Sequence, residues 1–155
     1  MAGDEHLFIF DKDGTLVMGP AGRPPNSFAE QTWLPNVQEK CRSLVEGGHT
    51  LAVASNQGGV AFGHLTYEEA EAMVRATAFA IGAVFYEFCP YHPEGIVEPY
   101  AKDAQCRKPN PGMLQSIQVR TGFPWHRIIF VGNGIEDWKA SLFAGCTFVW
   151  SSDFF

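Results

Sequence analysis

Five short apolar runs alternate with segments of helical periodicity along this chain, and that alternation limits its fold more than any other feature. The runs are 6–10 (HLFIF), 50–55 (TLAVAS), 83–88 (AVFYEF), 127–131 (RIIFV) and 146–150 (CTFVW). Between the first two lies 35–48, where Val37, Cys41, Leu44 and Val45 recur at helical spacing before a glycine pair. Segment 65–82 opens with Thr66 and, three residues later, Glu69, the pattern of a capping box. Segment 110–122 carries Pro111 near its first turn, and 135–145 follows the fourth run directly. No tight hairpin turn joins consecutive runs. Parallel strands require long crossovers, usually helices, so the pattern predicts an α/β fold whose five-stranded, mainly parallel sheet is covered on both faces. Ligands of such sheets bind beyond the carboxyl ends of the strands.

Length and composition fit this picture. The 155 residues are expected to form one domain, 1–155, with 46% hydrophobic and 18% charged residues, a globular balance. A formal charge of −6 argues against clinging to nucleic acid or anionic membrane through a general positive field. No apolar run approaches the roughly 20 residues that span a bilayer. The acidic start, MAGDEHLFIFD, differs from a signal peptide, and Cys41, Cys89, Cys106 and Cys146 form no secreted-type framework. A cytoplasmic location with reduced thiols is the expectation. Two segments are irregular: 14–35, rich in Gly and Pro, and 89–109.

The polar residues collect at the strand ends. The first run leads into DKDGTL (11–16). In extended chain, residues i and i+2 share a side, so Asp11 and Asp13 face one site while Lys12 points elsewhere. Two carboxylates that close repel unless a cation separates them or one is protonated. A plain Asp/Gly turn is the blander reading; a calcium loop of EF-hand type is excluded, because the glycine comes too early and Gly22 stands where the closing glutamate belongs. The second run ends in SNQGG (55–59), with Ser55, Asn56 and glycines that let backbone N–H groups approach an anion. CRKPNPG (106–112) places Arg107 and Lys108 before a helix, and VGNGIED (131–137) supplies Asn133, Glu136 and Asp137. Each signal is modest alone. Their sum reads as a magnesium-assisted phosphate site, since carboxylates suit Mg²⁺ and a lysine suits a phosphoryl group. No Walker loop, G-x-S-x-G elbow or complete G-x-G-x-x-G is present.

In this order, DKDGT, SNQGG, RKP and VGNGIED resemble the four motifs of the haloacid dehalogenase-like hydrolases. The nearest branch is the small phosphatases of histidinol phosphate and heptose bisphosphate, subfamily IIIA. The resemblance covers nearly the whole chain. It implies a Rossmann-like three-layer sandwich, a loop and flap after the first strand, and no large cap domain. It also implies roles: Asp11 as nucleophile, Asp13 as general acid and base, and Mg²⁺ held by Asp11, Asp13, Asn133 and Asp137. Ser55, Asn56 and Lys108 would bind phosphoryl oxygens, and Arg107 the substrate. The substrate would be a small phosphorylated metabolite.

Two departures stand out. Asn133 occupies a position that is normally Asp, which keeps an oxygen ligand but removes a negative charge. Many members of the branch also bind zinc through a Cys-x-His and a Cys-x-Cys pair. Here CPYH and AQC retain Cys89 and Cys106, with Tyr91 and Ala104 at the other two positions, and His92 nearby. Three ligands do not close a structural site, so a zinc-free loop with leftover cysteines is expected. Two further readings stay open: a polynucleotide 3′-phosphatase, disfavoured by the acidic balance, and a non-catalytic binder of a phosphorylated ligand or partner.

Overall fold

The structure, a computed structural model, describes residues 3–155. Its sheet contains β1 (Leu7–Phe10), β4 (Thr50–Asn56), β5 (Phe85–Cys89), β6 (Ile128–Gly132) and β7 (Thr147–Trp150), all parallel, in the order β5-β4-β1-β6-β7. Each lies within a residue or two of an expected run. The helices are α1 (Val37–Glu46), α2 (Tyr67–Ala80), α3 (Gly112–Thr121), α4 (Ile135–Ala144) and the short α5 (Ser151–Phe154).

Strand alternation divides the core in two. Phe8 and Phe10 of β1 pack with Leu51 and Val53 against Val37 and Cys41 of α1 and Val74 and Ala78 of α2. Leu7 and Ile9 point the other way, with Ala52, Ala54 and Phe130, onto Met113, Leu114 and Ile117 of α3 and Ala140 of α4. β1 is buried on both faces, and each such side chain contributes about 1.5–3 kcal/mol on burial. The aromatic end of the chain joins the first layer, where Phe154 lies 5.6 Å from Phe8 and 5.8 Å from Phe10, ring centre to ring centre. Helix α2 begins with the expected capping box, Thr66 Oγ1 accepting from Glu69 N and Glu69 Oε1 from Thr66 N.

The segment 14–35 is more ordered than its composition suggested. β2 (Val17–Met18) and β3 (Thr32–Trp33) pair antiparallel as a small flap at the end of β1. Between α2 and α3 the chain forms only β5 and turns, which leaves no room for a cap. The strand order reverses at β1: the chain moves outward through β4 and β5, then returns to the other side as β6 and β7. The crevice at such a switch point is where doubly wound sheets bind ligands.

Candidate active site

β1 and β6 run in register, Phe10 beside Val131, and Asp11 N donates to Val131 O at 3.0 Å. Asp11 therefore leaves the sheet at the switch point, only 7% exposed. Lys108 Nζ donates to Asp11 Oδ1 (2.8 Å) and Ala54 O (3.0 Å), and forms an ion pair with Asp137 Oδ1 at 2.7 Å. Thr15 Oγ1 lies 3.0 Å from Asp11 Oδ2 and 3.3 Å from Asn133 Oδ1. Burial pushes the Asp11 carboxyl up to about 6, against the pull of Lys108. Burial alone would lower Lys108, but Asp11 and Asp137 outweigh it and hold the ammonium charged. The buried triad of one lysine and two carboxylates keeps a formal charge of −1, a deficit that a cation would relieve.

Asp13 sits beside Asp11 with both oxygens engaged. Oδ1 accepts from Lys12 Nζ at 2.6 Å, and Oδ2 from Gln57 Nε2 at 3.1 Å. A cavity of about 780 Å³ opens over the pair. Asn56, Arg107, Lys108, Asn133 and Glu136 line it from the sheet side, Arg23 and Asn26 from the flap, and Phe62, His64 and His92 from the loops around it. Gly14 adopts φ +84°, and a Cβ there would collide with the Asn133 carboxamide. The turn after β1 and the end of β6 fit together only through that glycine.

Three expected residues have partners within the protein that the sequence reading did not give them. Asp137 does not line the cavity; Oδ2 accepts from Asn133 N (3.2 Å) and Gly134 N (3.1 Å) at the start of α4, while Oδ1 faces Lys108. A carboxylate at a helix N-terminus satisfies otherwise unpaired N–H groups, which explains its retreat from the surface. Asn56 exchanges two hydrogen bonds with the backbone of Lys108: Nδ2 to O (3.1 Å) and N to Oδ1 (3.0 Å). Ser55 is buried and accepts from Gln57 Nε2 at 2.8 Å. Both clamp neighbours. Cys89 and Cys106, expected as leftover thiols, are joined as a disulfide that ties the end of β5 to the turn before Arg107. No cluster of three or more His, Cys, Asp or Glu side chains suited to a metal occurs among the described residues.

The sequence family described as polynucleotide kinase 3 phosphatase matches residues 6–141. The chain belongs to that family. It is a haloacid dehalogenase-like phosphatase of the subfamily IIIA type. The D-glycero-β-D-manno-heptose-1,7-bisphosphate 7-phosphatase of Pseudomonas aeruginosa is 31% identical over 147 residues, 90% of this chain and 77% of that protein. The enzyme of the same name from Yersinia pestis is 32% identical over 117 residues, 72% of this chain but 62% of its own length. Among solved structures, the D,D-heptose 1,7-bisphosphate phosphatase of B. bronchiseptica, complexed with magnesium and phosphate, matches with a TM-score of 0.77 at 28% identity. That match covers 92% of this chain and 78% of that one. No helix of the described residues is long and apolar enough to cross a membrane.

Sequence reasoning missed four residues of this phosphatase site: Lys12, Thr15, Gln57 and Arg23. Thr15 and Gln57 lay within quoted motifs, and Gln57 is two residues beyond Ser55, a spacing that could have flagged it. Arg23 comes from the flap, whose path no local pattern reveals.

Proposed function

We propose that the chain, as one domain over 1–155, hydrolyses phosphomonoesters of small metabolites through an aspartyl-phosphate on Asp11 with the help of Mg²⁺. The carrying observation is the Asp11 carboxylate, fixed at the switch point between Lys108 and Thr15 on the wall of the cavity. An in-line attack needs a nucleophile with little freedom, and this one has both oxygens held. Asp13 gives a proton to the departing alcohol and takes one from the water that later cleaves the phosphoenzyme. Lys108 meets the phosphoryl oxygens as charge spreads over them, and Asn56 and Ser55 contribute by fixing Lys108 and Gln57. Arg107 and the flap residue Arg23 contact the rest of the substrate.

The metal fits the donor chemistry. Asp11, Asp13 and Asn133 present oxygen at one side of the cavity, as a hard cation requires, and the buried triad is one charge short of neutral. Asp11, the Asp13 carbonyl and Asn133 would hold Mg²⁺. Bound there, it supplies the charge that lets an anionic carboxylate approach an anionic phosphate. Glu136, on the cavity wall, is the acid placed to offset the missing charge of Asn133.

The heptose-bisphosphate names of the relatives support a sugar bisphosphate as substrate, and the branch resemblance adds histidinol phosphate. The family description favours a second reading, a 3′-phosphorylated polynucleotide. The cytoplasmic setting belongs to the proposal too, and the Cys89–Cys106 bond is the observation that counts against it. Phosphate release should be measured with Mg²⁺ and with EDTA on heptose bisphosphate, other sugar phosphates, histidinol phosphate and a 3′-phosphorylated oligonucleotide. Magnesium-dependent turnover of a metabolite, abolished by Asp11→Asn, is expected. Preference for the oligonucleotide would select the second reading, and silence across the panel would leave only a binder.

A further inference from the structure

Lys12 was expected to point away from the site, and its side chain does leave the cavity wall. It is fully buried all the same, and it returns to the site from below. Nζ donates to Asp13 Oδ1 at 2.6 Å and to Gln31 Oε1 at 2.6 Å. Gln31 Nε2 in turn donates to Thr77 Oγ1 at 2.9 Å, and Thr77 Oγ1 to Met73 O at 2.9 Å inside α2. A chain of hydrogen bonds thus runs from the middle of α2, through the residue before β3 of the flap, to the carboxyl of Asp13. An apolar side chain would fill the space beneath β1 without the desolvation that a buried ammonium suffers, so the packing alone gives no reason for lysine. Its bonds do.

We infer that Lys12 is a positioning residue for Asp13, and that Gln31 couples it to the seated flap. The inference rests on the phosphatase reading and assigns a role to groups that touch neither substrate nor metal. When Asp11 forms its bond to phosphorus, the bond from phosphorus to the ester oxygen breaks and that oxygen keeps the electron pair. The proton on Asp13 passes to the same oxygen, leaving a neutral alcohol and an Asp13 carboxylate. Water then bonds to phosphorus and gives a proton to Asp13, while the Asp11–phosphorus bond breaks and its electron pair returns to the Asp11 carboxylate, releasing inorganic phosphate. Lys12 occupies Oδ1, so the proton travels on Oδ2, whose hydrogen bond comes from the neutral amide of Gln57. Gln57 and Lys12 together hold both oxygens of the carboxyl. The flap enters this arrangement through Gln31, so the acid is in place only when the flap is down.

The test exploits the leaving group. Nitrophenolate departs without a proton, whereas an alkoxide does not, and kcat/KM reports the steps up to its departure. Wild type, Lys12→Met, Lys12→Arg, Gln31→Leu and Asp13→Asn are compared on p-nitrophenyl phosphate and glycerol 2-phosphate with saturating Mg²⁺. Lys12→Met should lower kcat/KM for glycerol 2-phosphate about 100-fold and for the nitrophenyl ester by no more than about threefold. Gln31→Leu, which keeps every charge, should show the same asymmetry at about tenfold. Lys12→Arg should recover part of the loss. If Lys12→Met does not fold, judged by circular dichroism, Gln31→Leu carries the test. Equal losses on both esters, or no loss, would overturn the positioning role. Asp13→Asn separates the two levels: a wild type inert on both esters, or an Asp13→Asn variant without the asymmetry, removes the phosphatase mechanism itself.

Discussion

Lys108 and Lys12 are both buried to 2% exposure or less, and each holds one member of the Asp11–Asp13 pair. Their surroundings differ. Lys108 stands on the sheet floor with a carbonyl and two carboxylates around it, and those charges keep it protonated despite burial. Lys12 stands on the flap side with one carboxylate and one amide, and there burial wins and lowers its pKa. The floor is an electrostatic unit that joins the end of β1, the turn before α3 and the start of α4. The flap side is a hydrogen-bond relay, and it depends on a flap whose two strands are only two residues each staying in place. One lysine is fixed by charge, the other by connection.

The largest effect that tests this contrast is removal of the floor cation. Lys108→Met should lower turnover by at least about 1,000-fold on any ester, with no leaving-group asymmetry, because phosphoryl-oxygen stabilisation is lost. It should also destabilise the fold by about 3–5 kcal/mol in urea titration, since Asp11 and Asp137 are left buried without a counter-charge. A variant that keeps wild-type stability would show that the triad is not an electrostatic unit.

Asp137→Ala comes next. It should cost about 1–3 kcal/mol of stability through the uncapped N–H groups of Asn133 and Gly134, and leave Lys108 with a single carboxylate. Magnesium affinity, read by calorimetry, should change little. A collapse of that affinity with unchanged stability would restore Asp137 to the metal.

A smaller gain is expected from Asn133→Asp. One added negative charge should tighten Mg²⁺ binding roughly tenfold, seen as a leftward shift of the magnesium activation curve. Unchanged affinity and turnover would mean that Glu136 already supplies what the amide withholds.

The smallest effect is a pH dependence of stability in EDTA-treated protein. The Asp11 carboxyl rises from an ordinary 3.8 to about 6 in the fold. The folded chain therefore binds more protons than the unfolded one between those values, and stability falls as pH rises from about 4 to about 6. Thermal melts across that window should show the decline, and Asp11→Asn should flatten it. A rise with pH would indicate that the pull of Lys108 outweighs burial.

The parallel sheet, the four main helices and the strand-end location of the site were legible in the chain because periodicity and turn chemistry are local. Asp11, Asp13, Asn56, Arg107, Lys108 and Asn133 stand at the cavity to which their motifs lead. The motifs alone gave residue types, however, and types do not say which partner a side chain faces. Asp137 reads as a metal ligand and Asn56 as a phosphate ligand, but the motifs do not reveal that Asp137 bonds the start of α4 or that Asn56 bonds the backbone of Lys108. Lys12 was dismissed on correct strand geometry, because alternation tells where a Cβ points and not how far a flexible stem can reach.

Amino-acid order by itself settled the architecture, since the spacing of apolar residues admits only a wound parallel sheet, and it brought four motifs to one edge of that sheet. Tertiary structure decided how those motifs are wired. Contacts such as Lys12 to Gln31, Gln31 to Thr77, or Asp11 to Lys108 join residues far apart in the chain. Their energies depend on burial and on distances of less than 3 Å, and neither quantity exists until the layers have packed.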